Sequence, residues 1–448
     1  MMLKRKVEKD ICQWIETGEK ALLVYGVRQA GKTFVIKKCL EACGAEYVAF
    51  NLIEQPELIS IIETAVNMDD LTMKLSLFSK KELIPGKSII FLDEIQKCRE
   101  IVTRIKFLVE DGRFRFILSG SLLGVELVNI KSAPVGYLET LTVYPLDFEE
   151  FLQVFSVPEQ VLKHLKESFE QRITVDETIH ERLMYIFRVY LLIGGMPAAV
   201  DKYQRTGNID DVIREHRAII EMYKLDFTQY EVENRRLMIT GIYDLIPTEL
   251  NEKNKRFKIK DLDKGLRSER VRDSFVWLEK AGVAIPVYNA TEPMLPLKLN
   301  SKSTLFKLFL SDVGLLTTLY GKATKLAILN NEADINRGAM YENVIAQELH
   351  AHGLELYYYN SKKQGELDFV IEYQNRVLPI EVKSGKAYDR HSALRNVMDI
   401  ENYGLKEAIV FYNGNVQREK ECVYCPVYMA MFLQPEQIPF ENIKPFRW

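Results

Sequence analysis

Residues 26–33 read GVRQAGKT: one glycine, four residues, then Gly31-Lys32-Thr33. Each residue type at that spacing has a use on a phosphate. The glycines let the backbone N–H groups of Gly26, Val27, Arg28, Gln29, Ala30 and Gly31 converge on oxygen atoms, and the helix that opens through Lys32, Thr33 and Phe34 adds its partial positive charge. Lys32 reaches the β- and γ-phosphates, and the Thr33 hydroxyl binds Mg²⁺. Downstream, an apolar run ends in Asp93-Glu94. There an aspartate holds Mg²⁺ through water and a glutamate orients the attacking water as its base. A third run, FRFILSGS, ends in Ser119 and Ser121. We assign Ser121 to the catalytic set with Lys32 and Glu94; which of the two serines senses the γ-phosphate stays open, and either also reads as a plain turn residue. ATP with Mg²⁺ is the expected cofactor.

A second group lies in GELDFVIEYQNRVLPIEVKSGK, residues 365–386. With Gln374-Asn375 as a two-residue hairpin turn, Leu367 faces Val382, Phe369 faces Ile380 and Ile371 faces Leu378, an uninterrupted apolar face. A slip of one residue would bury the charges, so the pattern selects this register. It sets Asp368 opposite Glu381 on the other face, with Lys383 two residues along. Two opposed carboxylates repel, and a divalent cation between them turns that repulsion into a binding site; a neighbouring lysine positions a water or steadies charge on a phosphate. In GAMYENVIAQELH, Glu342 shares a helical face with Ile345, Ala346 and Leu349 and is a further ligand candidate, or else a capping or snorkelling acid. The bland alternative for the hairpin is an exposed polar face with an Asp368–Lys383 ion pair.

The elements that must hold these residues follow from pattern. ALLVY before the glycine loop is a buried strand and FVIKKCL after it a helix; SIIFLDEI and FRFILSGS supply neighbouring strands. Residues 153–235 are mostly helical, with a break at 194–197. The stretch 257–289 reads as short strand, short helix, second helix (capped by Ser268, with Val271, Phe275 and Leu278 on one face and Gly282 stopping it) and apolar strand VAIPVY, the order of a winged helix. From Lys253 to Arg272 there are nine basic residues against three acids, either a face that tracks phosphates or a solvated surface. The formal net charge of the whole chain is −3, so any nucleic-acid affinity must be local. The chain of 448 residues exceeds what one core serves, no apolar run is long enough for a membrane span, and no signal-peptide core follows the N-terminus. The expectation is a cytoplasmic protein with no membrane partner. Cys422 and Cys425 form a lone C-x-x-C, read as strand packing in preference to zinc.

The chain resembles a prokaryotic AAA+/STAND-like P-loop ATPase family with a C-terminal domain of unknown function that itself looks like PD-(D/E)XK nucleases. The motifs that carry the likeness are those at 26–33, 91–96 (FLDEIQ), 119–124 (SGSLLG), 144–152 (YPLDFEEFL) and 191–197 (LLIGGMP). The resemblance implies that Pro197 touches bound nucleotide as part of a lid. It also implies that Asp368, Glu381 and Lys383 fall on the nuclease motif, with Glu342 as the helix acid. Where many relatives carry Arg or Lys after Pro134-Val135-Gly136, this chain has Tyr137, so a trans-acting arginine finger is not assigned; Arg113, Arg115 and Lys131 are candidates.

The expected organisation is α/β: a P-loop AAA+-like ATPase core (1–152), a helical lid (153–210), a winged-helix-like domain (211–325) and a restriction-endonuclease-like α/β domain (326–448). The expected function is ATP binding and hydrolysis coupled to a nuclease-like domain acting on DNA or RNA, with self-association through the ATPase domain as a further partner expectation. The alternative is a STAND-like ATP-dependent switch whose C-terminal domain is catalytically inactive and serves for binding.

Overall fold

The computed structural model describes residues 3–79, 81–98, 100–121, 136–229, 233–252, 255–257, 268–332, 337–385, 388–389 and 391–435. The chain forms two compact units, each drawn from three stretches: Met1–Leu146, Ile193–Asp244 and Lys260–Ala284 in the first, Asp147–Leu192, Leu245–Ile259 and Ile285–Trp448 in the second.

The first unit is built on five parallel strands in the order β2-β3-β4-β1-β5. These are β1 (Ala21–Tyr25), β2 (Tyr47–Asn51), β3 (Ile89–Asp93), β4 (Arg115–Gly120) and β5 (Leu138–Thr142). The continuous apolar runs ALLVY and IIFLD suit strands covered on both faces, and every residue of β3 is buried. Because β4 is inserted between β1 and β3, the carboxyl ends of these three strands lie side by side. The glycine loop, Asp93-Glu94 and the two serines therefore converge at one edge of the sheet, where open α/β sheets bind ligands.

The second unit carries an eight-stranded mixed sheet in the order β12-β13-β11-β10-β9-β8-β6-β7. Its strands are β6 (Ala284–Ala290), β7 (Ser301–Leu310), β8 (Tyr357–Ser361), β9 (Gly365–Tyr373), β10 (Arg376–Val382), β11 (Ala408–Tyr412), β12 (Gln417–Glu419) and β13 (Cys422–Pro426). The hairpin β9–β10 has the register that apolar alternation selects, Ile371 facing Leu378 and Phe369 facing Ile380. Its turn residues Gln374 and Asn375 both have positive φ, 51° and 56°, the conformation of a type I′ turn. Cys422 and Cys425 are both buried on β13.

One strand goes elsewhere than its neighbourhood implies. VAIPVY, expected to follow the winged helix, is β6, and it lies in the large sheet parallel to β8 and beside β7. Ala284, Ile285, Val287 and Ala290 are all buried there, so distant partners satisfy a strand that local order assigns to a small domain. The second expected helix is present as Ser268–Lys280; residues 258–267, which carry most of the expected short strand and first helix, lie outside the described residues. No single described helix is long and apolar enough to cross a membrane.

Candidate functional sites

The loop after β1 is shaped by its glycines. Gly26 has φ 144° and a Cβ there would sit 2.1 Å from the Val143 carbonyl oxygen, so only glycine lets β1 and the chain after β5 run so close. The helix Lys32–Ala42 starts directly after Gly31. Lys32 Nζ donates to the carbonyls of Gly26 and Val27, both at 3.0 Å. Burial pulls its pKa down to about 8, against the opposing pull of Glu94 and Asp93. An ammonium held only by loop carbonyls is free to exchange them for phosphate oxygens. Thr33 Oγ1 donates to Asp93 Oδ2 at 2.8 Å, and Ser119 donates to the other oxygen of the same carboxylate. A hydroxyl and a carboxylate in contact beside a phosphate loop fit a hydrated Mg²⁺, which prefers a few hard oxygens plus water.

Glu94 is left-handed, φ 60° and ψ 40°, a conformation that is uncommon outside glycine and clusters at functional positions. Its carboxylate accepts from Gln96 Nε2, and the same amide lies 3.3 Å from Ser121 Oγ. The two serines thus divide: Ser119 contacts Asp93, while Ser121 reaches Glu94 through Gln96. Gln96, the last residue of FLDEIQ, is the residue that joins Glu94 to Ser121.

The loop side chains face a cover made by the same unit. Arg28 is ion-paired with Asp226, whose carboxyl burial pushes up and Arg28 pulls back, and Gln29 Nε2 lies 3.1 Å from Met222 Sδ. Both partners are on the helix Ile209–Gln229, so Arg28 and Gln29 offer phosphate only their backbone. Phe34 is 56% exposed. Pro197 opens the helix Pro197–Thr206 and approaches the loop: a Cβ on Gly31 would lie 3.5 Å from Pro197 Cγ. The turn before it is fixed by Gly195, whose carbonyl accepts from Leu146 N at 2.7 Å and whose added Cβ would meet Leu146 O at 1.9 Å. Arg5, unmarked by any motif, bridges Ala30 O at 3.2 Å and Tyr144 O at 2.7 Å. Of the finger candidates, Arg113 is bound to Asp111 and Asp69, Arg115 donates to Ile15 O at 2.7 Å, and Lys131 lies outside the described residues.

In the second unit the β9–β10 ladder closes at Phe369–Ile380. Beyond it, Asp368 Oδ2 accepts the Val382 N–H at 2.9 Å, so the side chain replaces a ladder bond and the strands open around the charged residues. Lys383 Nζ is 2.5 Å from Glu381 Oε1. Burial, and then Asp368, raise the Glu381 pKa to about 8. Glu342, on the helix Gly338–Ala351, is buried and pushed up by burial and then by the same Asp368. The structure thus brings together all four residues singled out from sequence. The ion pair that forms is Lys383 with Glu381; Asp368 bonds to backbone.

Two lysines complete the cluster, Lys255 from the basic stretch and Lys307 with no sequence signal. Lys255 pairs with Glu342 Oε1. Lys307, fully buried on β7, has its Nζ 2.7 Å from Glu366 Oε1 without hydrogen-bond alignment, and lies over the Tyr358 ring. The basic stretch is therefore not a uniform outward face: Lys255 turns into the acids, and of its other basic residues only Arg256 lies among those whose side chains are described. Glu342 Oε2 and Glu381 Oε2 are buried and accept no hydrogen bond among the described residues. Two such carboxylate oxygens leave the cluster with unused acceptors, and a buried polar atom left unpaired is costly; among the described residues the set of three acid or histidine ligand atoms within 4.8 Å of one another is Asp147, Glu348 and His352.

Residues 18–152 match the family model of an AAA domain, and with the loop geometry this defines the N-terminal part as an ATPase-type P-loop domain. Residues 184–326 and 337–430 match two domains of unknown function, DUF8612 and DUF4143. No curated protein matches the chain significantly. Among solved structures the chain is similar to the Walker-type ATPase of Pyrococcus abyssi, with 16% identity, a TM-score of 0.42, and coverage of 71% of this chain and 96% of that one.

Proposed function

We propose that the protein is a Mg²⁺-dependent ATPase whose turnover governs a nuclease-like unit acting on DNA or RNA. In the first unit Lys32 and the loop amides bind the phosphates, Thr33 and Asp93 hold Mg²⁺, Glu94 takes the proton of the attacking water, and Gln96 with Ser121 orients Glu94. Pro197 closes over the nucleotide. In the second unit Asp368, Glu381 and Glu342 hold Mg²⁺, which when bound polarises a phosphodiester and lowers the pKa of its water. Lys383 steadies charge on the phosphate from beside Glu381. The observation that carries the second half is the pair of unpartnered buried oxygens, Glu342 Oε2 and Glu381 Oε2.

A switch reading has its own support. Lys255 and Lys307 already neutralise Glu342 and Glu366, as in a domain that binds and does not cleave. One experiment separates the two: the purified protein with single- and double-stranded DNA and RNA, Mg²⁺ or Mn²⁺, with and without ATP. Metal-dependent cleavage lost in Asp368→Asn supports the nuclease. ATP turnover with no cleavage of any of the four substrates overturns it in favour of the switch.

A further inference from the structure

The acid cluster of the second unit carries its own cations. Lys255 pairs with Glu342, Lys383 with Glu381, and Lys307 lies beside Glu366, while Asp368 is bound to the Val382 N–H. A divalent cation that joins Glu342 to Asp368 meets the Lys255 ammonium at Glu342, and two cations held in one buried place repel.

The three lysines are not equally removable. Lys307 is fully buried within β7 and its withdrawal would dismantle a strand. Lys383 continues from β10 and its backbone N–H is bound to Phe411 O at 2.8 Å. Lys255 lies outside any helix or strand, just after the helix Glu233–Asn251, with positive φ of 27° and a partly exposed side chain. Its ammonium pairs with Glu342 and feels Asp368 as well. A compact cation on a flexible stem can leave without unfolding anything.

We propose that Lys255 is the resident counter-ion of this site: its ammonium stands in for a divalent cation at Glu342, and metal binding competes with it. This rests on reading the acids as a metal site. Whatever draws the Lys255 ammonium away from Glu342 therefore favours metal at this site.

The test is isothermal titration of the full chain with Mn²⁺, without nucleotide or nucleic acid, counting only binding that Asp368→Asn removes. Lys255→Met should bind Mn²⁺ at least about tenfold more tightly than wild type, the order expected when one charged hydrogen bond need no longer be broken. Equal affinity in the two overturns the proposal and leaves the metal site standing. Absence of Asp368-dependent Mn²⁺ binding in both overturns the metal-site reading and the proposal with it. If Lys255→Met does not fold, Lys255→Arg carries the test with opposite sign, because a guanidinium holds a carboxylate through two donors. Weaker Mn²⁺ binding supports the proposal, and unchanged binding overturns it.

Discussion

The two charged sites hold their groups in opposite ways. In the first, Lys32 rests on loop carbonyls and Asp93 is held by two neutral hydroxyls, Thr33 and Ser119. A phosphate can take the lysine and a metal can take the acid without any ion pair being broken. In the second, the acids and lysines are committed to one another, Lys255 to Glu342, Lys383 to Glu381 and Lys307 beside Glu366. A buried ion pair is hard to enter, because freeing either partner leaves a charge in low dielectric. One site holds its groups on neutral partners, and the other has committed one oxygen each of Glu342 and Glu381 to a lysine while leaving the second unpartnered.

The largest expected effect tests the first site. Lys32→Ala should weaken ATP binding by roughly 10²-fold or more, since a charged hydrogen bond is lost with nothing to replace it; fluorescent-nucleotide titration reads this, and wild-type affinity would break the comparison. Next, Glu94→Gln should bind ATP but turn it over about 10²-fold or more slowly. Gln96→Ala should lower kcat less than that with little change in nucleotide affinity, since it only misdirects Glu94; steady-state kinetics separate the two.

Smaller effects belong to the second site. Asp368→Asn keeps an acceptor for Val382 N–H and removes repulsion toward ionised Glu381, so above about pH 8, where Glu381 is charged, the metal-free melting temperature should hold or rise, by the equivalent of a few tenths to about 1 kcal/mol. A clear fall would mean that Asp368 pairs productively with a lysine. The pH dependence of melting sharpens this further. Burial raises Glu381 to about 8, so between its unfolded value, near 4.3, and about 8 the folded state holds a proton that the unfolded state has lost. Stability from this group is full below that window and declines as pH rises through it. Metal-free wild type should therefore lose melting temperature between pH 6 and 9 more steeply than Glu381→Gln; equal slopes would remove Glu381 as the cause.

What could be read in advance follows from how far apart in the chain the partners lie. The phosphate loop is contiguous, and its strand and helix flank it directly, so its chemistry and its placement were legible together. The β9–β10 register was legible because apolar side chains alternate through Phe369, Ile371, Leu378 and Ile380 around a two-residue turn. The tie from Gln96 to Ser121 spans 25 residues, and the pairing of Lys255 with Glu342 spans 87; no local period announces either. β6 was misplaced for the same reason, its apolar pattern fitting any half-covered sheet while the partner that selects it, β8, begins about seventy residues later. Arg5 sits in a run of charges that reads as surface, and its contact with Ala30 and Tyr144 emerges only from the tertiary arrangement.

The interleaving of the chain bears on how the protein is made. The glycine loop leaves the ribosome ahead of its cover: Gly195 and Pro197 through Met222 and Asp226 come only after residues 147–192, which belong to the other unit. At a synthesis rate of about 5–20 residues per second, on the order of ten seconds can pass between the loop and the completion of its unit near Ala284. During that interval β1 and β3 exist with the Arg28 and Gln29 side chains unanchored. On the proposed function, full affinity for ATP would be acquired only once that cover is in place, and a nascent chain halted between the two would carry the motif without the grip.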